Sequence, residues 1–336
     1  MAYTTTEYPR VNPSTGKVVE EWLTLVENDM KKIVVATEKP FAKAAVDGIK
    51  EIIAQAGFET VLLEKYTDKQ QLLDAVADAD ALIIRSDKVT AEVVDAAKNL
   101  KIVVRAGAGY DNVDLAACSA KGIVVMNTPG QNSNAVAELA IGLMIFMVRN
   151  QFTPGTGREI KGKKLGIHAY GNVGRLVAKA AQGMGMSVCA FDAFVDAKTM
   201  EADGVKAVAS AEELYSTCDY VSVNIPATPQ TIKSLNYDLL SKMPKGATIV
   251  NTARKEVVDE EQWVKVLAER EDLKYATDVA AGNQAELNEK FGLRVFATAK
   301  KMGAETAEAN INAGLAAATQ IVEFFRDGNT RFQVNK

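Results

Sequence analysis

The sequence predicts an α/β protein made of two doubly wound parallel-sheet domains with a cleft between them. From Lys32 onward, short apolar runs alternate with helical patterns, and polar side chains recur where the apolar runs end. Repeated strand–helix units form parallel sheets with helices on both faces. The length of 336 residues suits two domains of ordinary size.

Composition argues against several classes of function. The net charge of −4 is spread along the chain, and no basic block indicates a nucleic-acid partner. The longest apolar run, 136–148, includes Glu138 and is too short to span a bilayer. No signal peptide is evident at the start. The cysteines lack metal-site spacing, so we expect no metal and a reducing, cytoplasmic location, with Cys189 a buried thiol.

The first part of the chain divides into a leader and a βα series. Residues 1–29 are polar and weakly periodic, apart from a short amphipathic helix predicted at Glu20–Asp29, and are interpreted as an N-terminal extension or leader. Strands are then predicted at Lys32–Ala36, Glu59–Glu64, Ala81–Ile84, Ile102–Val104 and Gly122–Met126. The predicted helices between them are Ala42–Ala56, Lys69–Ala77, Ala91–Ala97 and a short one before Gly122.

A helix that is apolar nearly all round follows the turn cluster Asn127–Gly130. It is predicted at Asn134–Arg149, and a helix of this kind must be buried on every side. Two environments satisfy that requirement: the core of this chain, or an interface with a second subunit. The turn cluster itself is interpreted as a domain junction.

The stretch 163–192 has the order of a dinucleotide-binding unit: strand, glycine turn, helix, strand, acid. Gly171 would let the backbone approach a pyrophosphate, and Gly174 would let the helix pack closely on the strand. Asp192 stands where a carboxylate accepts the ribose hydroxyls of NAD. Ala169 replaces the first glycine and is expected to keep a negative φ. His168, the only histidine, is expected to be a packed strand residue.

Later strands are predicted at Tyr220–Asn224, Thr248–Asn251, Lys274–Asp278 and Arg294–Thr298, with helices at Glu260–Ala268 and Glu305–Arg326. In open parallel sheets, ligands bind beyond the carboxyl ends of the strands. Polar residues gather at these ends. They include Arg85, Ser86, Lys88, Arg105, Arg254, Asp278 and Lys301. Each alone is typical of a solvated loop charge, but together they predict a ligand-binding cleft.

Five segments in order resemble the D-2-hydroxyacid dehydrogenases: RAGAGYDNVD at 105–114, NTP at 127–129, the glycine turn, NIPATPQT at 224–231 and NTARKEVVDEE at 251–261. The resemblance covers Lys32 to the C-terminus. It implies two Rossmann-like domains: a flavodoxin-like substrate domain of residues 30–128 plus 309–336, and an NAD-binding domain of residues 129–308. It also implies NAD as cofactor, a small 2-hydroxy acid as substrate and a homodimer formed through the helix at 134–149.

The resemblance also implies roles for individual residues. Arg254 matches the family's catalytic arginine, which clamps the substrate carboxylate and polarises the C2 oxygen. Substrate contacts are implied for Ala106, Gly107 and Ala108, and phosphate contacts, found in part of the family, for Arg85, Ser86 and Lys88. Cofactor contacts are implied for Ala169, Tyr170, Gly171, Asn172, Val173, Gly174, Asp192, Asn224, Pro226, Thr252, Ala253, Asp278, Gly303 and Ala304.

Two departures from the family pattern concern the catalytic pair. Lys301 stands in the position of the family's catalytic histidine and is expected to be the acid/base. The segment 279–284 contains no acid, so Glu286 could assist only if its loop is rearranged. Three interpretations stay open: a dehydrogenase for a phosphorylated 2-hydroxy acid, a dehydrogenase for another D-2-hydroxy acid, and a catalytically inactive NAD-binding dimer.

Overall fold

The computed structural model describes residues 30–336 and two short strands before them. Strands β1 (Arg10–Val11) and β2 (Val18–Val19) pair antiparallel. The helix predicted at Glu20–Asp29 lies outside the described residues, as does most of the proposed leader.

The first sheet has five parallel strands in the order β4-β3-β5-β6-β7. They are β3 (Lys32–Thr37), β4 (Glu59–Glu64), β5 (Ala81–Ile84), β6 (Ile102–Arg105) and β7 (Val124–Asn127). The connecting helices are α1 (Lys43–Gln55), α2 (Lys69–Val76), α3 (Ala91–Ala96) and α4 (Leu115–Ala120). Strands β3, β5, β6 and β7 are largely buried, which explains their apolar runs, whereas the edge strand β4 is mostly half-buried.

The C-terminal helix returns to this first sheet. Helix α12 (Ala307–Asp327) begins at the N-cap Thr306 and ends at Gly328, whose φ of 67° closes the helix. Its apolar face shares a core with α1, where Ala313, Ala317 and Ile321 pack with Ile49 and Ile53. The tail then forms a bridge between Gln333 and Met126 at the edge of the sheet. The segment that begins at β3 and the C-terminal segment therefore contribute to one packed layer.

The second sheet has seven parallel strands in the order β10-β9-β8-β11-β12-β13-β14. They are β8 (Lys164–His168), β9 (Ser187–Phe191), β10 (Lys206–Ala207), β11 (Tyr220–Val223), β12 (Thr248–Asn251), β13 (Lys274–Thr277) and β14 (Val295–Ala297). Its helices are α6 (Asn172–Gly183), α7 (Ala197–Ala202), α8 (Ala211–Thr217), α9 (Tyr237–Leu240), α10 (Glu260–Glu269) and α11 (Gln284–Phe291). Both sheets therefore confirm the doubly wound parallel class. The residues at which the domains divide stay a prediction.

Helix α5 (Ser133–Val148) packs against α6 and against β12 and β13 of the second sheet. Ile141 is 8% exposed and Met144 is fully buried in this chain's own core. Much of the apolar surface of α5 is therefore covered without a second subunit. Asn134, Glu138 and Gly142 lie on an exposed stripe of the helix. None of the helices in residues 30–336 has the length and hydropathy needed to cross a bilayer.

Candidate active site

The glycine turn between β8 and α6 is built as a close-packed strand-to-helix connection. A Cβ on Gly174 would lie 2.3 Å from the Ala169 carbonyl oxygen and 2.9 Å from Ile167, so the helix approaches the strand closely only with glycine there. A Cβ on Gly171 would meet nothing within 4 Å. The backbone at the start of α6 is thus open to a ligand, and its first N–H groups are suited to phosphate.

The expected backbone of Ala169 is wrong. Its φ is +78°, a conformation that alanine adopts at a cost because its Cβ crowds the backbone. The hydrogen bond from Ala169 N to the Phe191 carbonyl, at 2.9 Å, helps to hold the turn in this form. The chain therefore keeps the glycine-like geometry of this turn without the glycine.

Asp192 directly follows β9, and its carboxylate oxygens accept hydrogen bonds from the glycine turn and from its own loop. Oδ2 accepts from Tyr170 N at 2.7 Å, and Oδ1 accepts from Phe194 N and Val195 N at 2.8 and 3.0 Å. These bonds fix the carboxylate beside the start of α6. The Tyr170 side chain is buried and its hydroxyl donates to Asp203. Only the backbone of Tyr170 therefore lies at the Asp192 carboxylate.

Several buried oxygens at the strand ends have no hydrogen-bond partner among residues 30–336. They are Asp278 Oδ1, Asn224 Oδ1, Thr252 Oγ1 and Thr128 Oγ1. Asp278 is fully buried, and its other oxygen accepts from Gly303 N at 2.7 Å. Burial raises the pKa of Asp278, opposed by that bond and by Lys301. Unpaired buried polar groups are costly, so a bound polar ligand such as a carboxamide-bearing cofactor fits these atoms.

Arg254 and Lys301 meet at one carbonyl. Arg254 Nη1 donates to the Ala253 oxygen at 2.9 Å, and Lys301 Nζ donates to the same oxygen at 2.8 Å. Asn251 stabilises the turn at Ala253, because its Oδ1 accepts from Ala253 N and its Nδ2 donates to Arg254 O. Arg254 and Lys301 both keep much of their surface exposed to solvent.

The surroundings of Lys301 shift its amine toward the neutral form. Desolvation of the ammonium lowers the pKa of Lys301, and the positive charge of Arg254 lowers it further. Asp278, Glu256 and Asp111 oppose the shift with negative charge. A lysine with a lowered pKa is a better base at neutral pH than a free one.

Two backbone N–H groups lie beside Arg254 and Lys301 without a hydrogen-bond acceptor in residues 30–336. Those of Gly107 and Ala108 have no acceptor among the residues described, whereas Gly107 O and Ala108 O accept from Thr128 N and Asn127 Nδ2. A Cβ on Gly109 would lie 3.4 Å from Arg254 Nη2, which brings this loop against the arginine. Ala106 is buried, and its contact with the substrate stays a prediction. The arrangement provides N–H donors and a guanidinium for one carboxylate.

Three polar residues follow β5 at the carboxyl end of the first sheet: Arg85, Ser86 and Lys88. The Arg85 guanidinium already donates to the Lys39 and Pro40 carbonyls at 3.3 and 3.2 Å and to Asn310 at 2.5 Å. Ser86 and Lys88 are exposed. Arg105 adds a cation here, since its Nε donates to Arg85 O at 3.0 Å and its pKa is lowered by burial and by Arg85 and Arg254.

Some predicted residues lie away from the centre of this site. Glu286 pairs with Lys290 at 2.6 Å on α11, and it is not among the charges that act on Lys301. His168 is 7% exposed and faces Tyr215, which confirms the packed strand histidine. Pro226 is exposed and Ala304 half-buried. The three cysteines are free and buried, as expected for Cys189. No group of three potential metal ligands occurs within the described part of the chain.

Three charged residues at the site were not predicted from the sequence. Asp111 and Glu256 act on Lys301, and Asp87 is buried behind the β5 loop. Asp111 belongs to RAGAGYDNVD, and Glu256 belongs to NTARKEVVDEE. The motifs that contain Asp111 and Glu256 could be recognised in the sequence, but the directions of their side chains could not.

Comparison with known proteins agrees with this geometry. Residues 145–305 match the family described as D-isomer specific 2-hydroxyacid dehydrogenase, NAD binding domain. A D-3-phosphoglycerate dehydrogenase of Methanocaldococcus jannaschii is 35% identical over 272 residues, which are 77% of this chain and 52% of the relative. A hydroxypyruvate reductase of Thermotoga maritima is 38% identical over 217 residues, which are 60% of this chain and 70% of the relative.

A solved structure gives a fuller match. The NAD⁺-bound 3-phosphoglycerate dehydrogenase of Entamoeba histolytica is 50% identical, with a TM-score of 0.82 over 91% of this chain and 99% of that one. The chain spans about half the length of the archaeal and human phosphoglycerate dehydrogenases that it matches, 52% and 56%. It belongs to the D-isomer specific 2-hydroxyacid dehydrogenases, a family of NAD-dependent oxidoreductases, and NAD is its cofactor.

Proposed function

We propose that this protein oxidises D-3-phosphoglycerate to 3-phosphohydroxypyruvate with NAD, the reaction that opens L-serine synthesis. The observation that carries the proposal is the convergence of Arg254 and Lys301 on the Ala253 carbonyl, beside the unpaired N–H groups of Gly107 and Ala108. This arrangement suits a carboxylate next to an alcohol. The relatives named D-3-phosphoglycerate dehydrogenase support the choice of substrate.

In the proposed reaction, NAD held at the start of α6 and beside Asp192 would supply the acceptor for the hydride from C2. Arg254 and the Gly107–Ala108 backbone hold the substrate carboxylate, and the guanidinium also polarises the C2 oxygen. Lys301, as the neutral amine, takes the proton from the C2 hydroxyl. Its hydrogen bond to the Ala253 carbonyl leaves the nitrogen lone pair free for that proton. In the reverse direction, protonated Lys301 is the acid.

We assign the phosphate of the substrate to the loop after β5, where it would contact Arg85, Ser86 and Lys88. Lys88 is exposed and its Nζ has no ion-pair partner in residues 30–336. Replacing Lys88 with Ala is expected to raise KM for 3-phosphoglycerate at least about tenfold, as for loss of a charge-assisted contact worth about 1.5–3 kcal/mol. Arg85→Ala tests the site less cleanly, because it also breaks the bond to Asn310.

A substrate panel tests the proposal. NADH absorbance is followed with 3-phosphoglycerate, D-glycerate and D-lactate at equal concentrations and, in reverse, with hydroxypyruvate. The proposal expects the highest kcat/KM for 3-phosphoglycerate. A preference for D-glycerate would favour the second candidate, which the hydroxypyruvate reductase relative supports. No turnover of any of these compounds would favour the inactive NAD-binding dimer.

A cytoplasmic homodimer formed through α5 is part of the same proposal. Ile145 is half-buried in the single chain and lies on the same helix face as the exposed Glu138 and Gly142. Ile145→Asp would bury an unpaired charge in the interface and should yield monomers in sedimentation. Ile141→Asp is the matched variant that should unfold the chain, because Ile141 is in its own core. A monomeric unmutated protein at micromolar concentration would refute the interface.

A further inference from the structure

Two loops at the edge of the first sheet are held together by a buried carboxylate. The loop after β3 and the loop after β5 are neighbours, because Ala36 pairs with Ile84 in the sheet. Asp87, 4% exposed, accepts from Glu38 N at 2.7 Å and from Tyr66 Oη at 2.8 Å through Oδ1. Its Oδ2 accepts from Arg85 N at 3.3 Å. The position of Glu38–Pro40 is therefore fixed relative to Arg85.

Arg85 binds the same loop from the other side. Its Nη1 lies 3.3 Å from the Lys39 carbonyl and 3.2 Å from the Pro40 carbonyl, and its Cζ lies 5.3 Å from the centre of the Phe41 ring. These contacts, with the bond to Asn310, occupy part of its guanidinium. Arg85 alone therefore has fewer free donors for a phosphate than its sequence position indicates.

Lys39 places a third cation at this edge. The residue is exposed, and its Nζ has neither a hydrogen bond nor an ion pair with any residue from 30 to 336. Its flexible four-carbon stem starts beside the Arg85 guanidinium. The negative groups nearby are Glu38, which is exposed, and Asp87, whose oxygens are already bonded.

We propose that Lys39 is a further ligand for the substrate phosphate, acting with Arg85 and Lys88, and that Asp87 positions the two loops for it. The inference rests on the proposed function and identifies a residue that sets its preference for a phosphorylated substrate. A dianionic phosphate has three acceptor oxygens, which several cations and donors share.

The test compares Lys39→Met with Lys43→Met, a matched control on α1 whose lysine pairs with Asp47 at 2.5 Å. Lys39→Met should raise KM for 3-phosphoglycerate about tenfold and leave kcat and the KM for D-glycerate within about twofold. Competitive inhibition by inorganic phosphate should weaken in the same variant. Lys39→Arg should restore most of both effects, and Lys43→Met should match the unmutated enzyme.

The outcomes separate this inference from the proposed function. If the unmutated protein oxidises 3-phosphoglycerate and Lys39→Met changes neither its KM nor phosphate inhibition, the role of Lys39 is refuted alone. An equal loss on D-glycerate would also refute it, since a structural effect acts on both substrates. An unmutated protein that does not oxidise 3-phosphoglycerate would overturn the proposed function and this inference together.

Discussion

Lys301 and Arg254 share one hydrogen-bond acceptor, the carbonyl oxygen of Ala253, at 2.8 and 2.9 Å. Two cationic side chains are thus held side by side where strand β12 ends. The positive charge of Arg254 disfavours a proton on Lys301, so the residue that would orient the substrate also prepares the base. A lysine base in this arrangement needs no carboxylate partner, whereas a histidine base needs one to stabilise its imidazolium.

Removing the Lys301 amine should abolish most catalysis. Lys301→Met keeps a similar bulk and should lower kcat by about 10²–10⁴, the usual contribution of general acid–base catalysis. Binding of NAD, measured by calorimetry, should be nearly unchanged. Lys300→Met is the control, because Lys300 is exposed and does not donate to Ala253. If Lys300→Met is inactive and Lys301→Met is not, the catalytic position is wrong by one residue.

The pH dependence of oxidation should report the charges around Lys301. The rate should rise with pH and reach half its plateau below pH 10.5, because the pKa of Lys301 is lowered. Asp111 opposes that shift, so Asp111→Asn should move the midpoint to lower pH. Glu286→Gln is the control, since Glu286 pairs with Lys290. A midpoint that moves upward in Asp111→Asn, or shifts equally in both variants, would contradict the assignment.

The sequence predicted the sheets well because buried parallel strands have continuous apolar runs. Strands β4, β5 and β12 have the predicted bounds. It missed β10, α7 to α9 and α11, which are short and depend on capping and packing rather than on a long periodic pattern. In the site it located Arg254 and Lys301 but not Asp87 or Asp111, because strand ends can be read locally while side-chain directions depend on tertiary contacts.

Asp192 should select NAD over NADP. A fixed carboxylate binds ribose hydroxyls and repels a 2′-phosphate, and three backbone N–H groups hold Asp192 in place. Asp192→Asn keeps the shape, removes the charge and replaces one of the two accepting oxygens with an N–H donor. It should weaken NAD binding and narrow the ratio of kcat/KM between NAD and NADP. Equal use of both cofactors by the unmutated protein would contradict the role of Asp192.

Ala169→Gly should stabilise the protein. The φ of +78° costs alanine about 1–2 kcal/mol, and glycine adopts it without that cost. Since glycine loses about 0.5–1 kcal/mol more conformational entropy on folding, the net gain should be below about 1.5 kcal/mol. Chemical denaturation measures it. Ala180→Gly, at an exposed position within α6, is the matched variant and should destabilise. Destabilisation by both would mean that the strain at Ala169 is negligible.

His168 should make the protein less stable in mild acid. Burial lowers its pKa from 6.5 to about 4, opposed by the charge of Asp192, so the folded state holds a neutral imidazole. Between these pH values the unfolded chain binds more protons than the folded one. Stability must therefore fall as the pH drops from about 6.5 to about 4, by at most about 3 kcal/mol.

His168→Asn removes this titration while keeping an acceptor for Tyr215 Oη, which lies 3.2 Å from Nδ1. Denaturant unfolding at several pH values should give curves for the two proteins that are parallel above pH 6.5 and converge or cross below it. Carboxylates also titrate in acid, among them Asp272 with a pKa lowered by Arg270, but they are common to both proteins and cancel in the difference. A difference that stays constant from pH 7 to pH 4 would show that His168 titrates equally in both states.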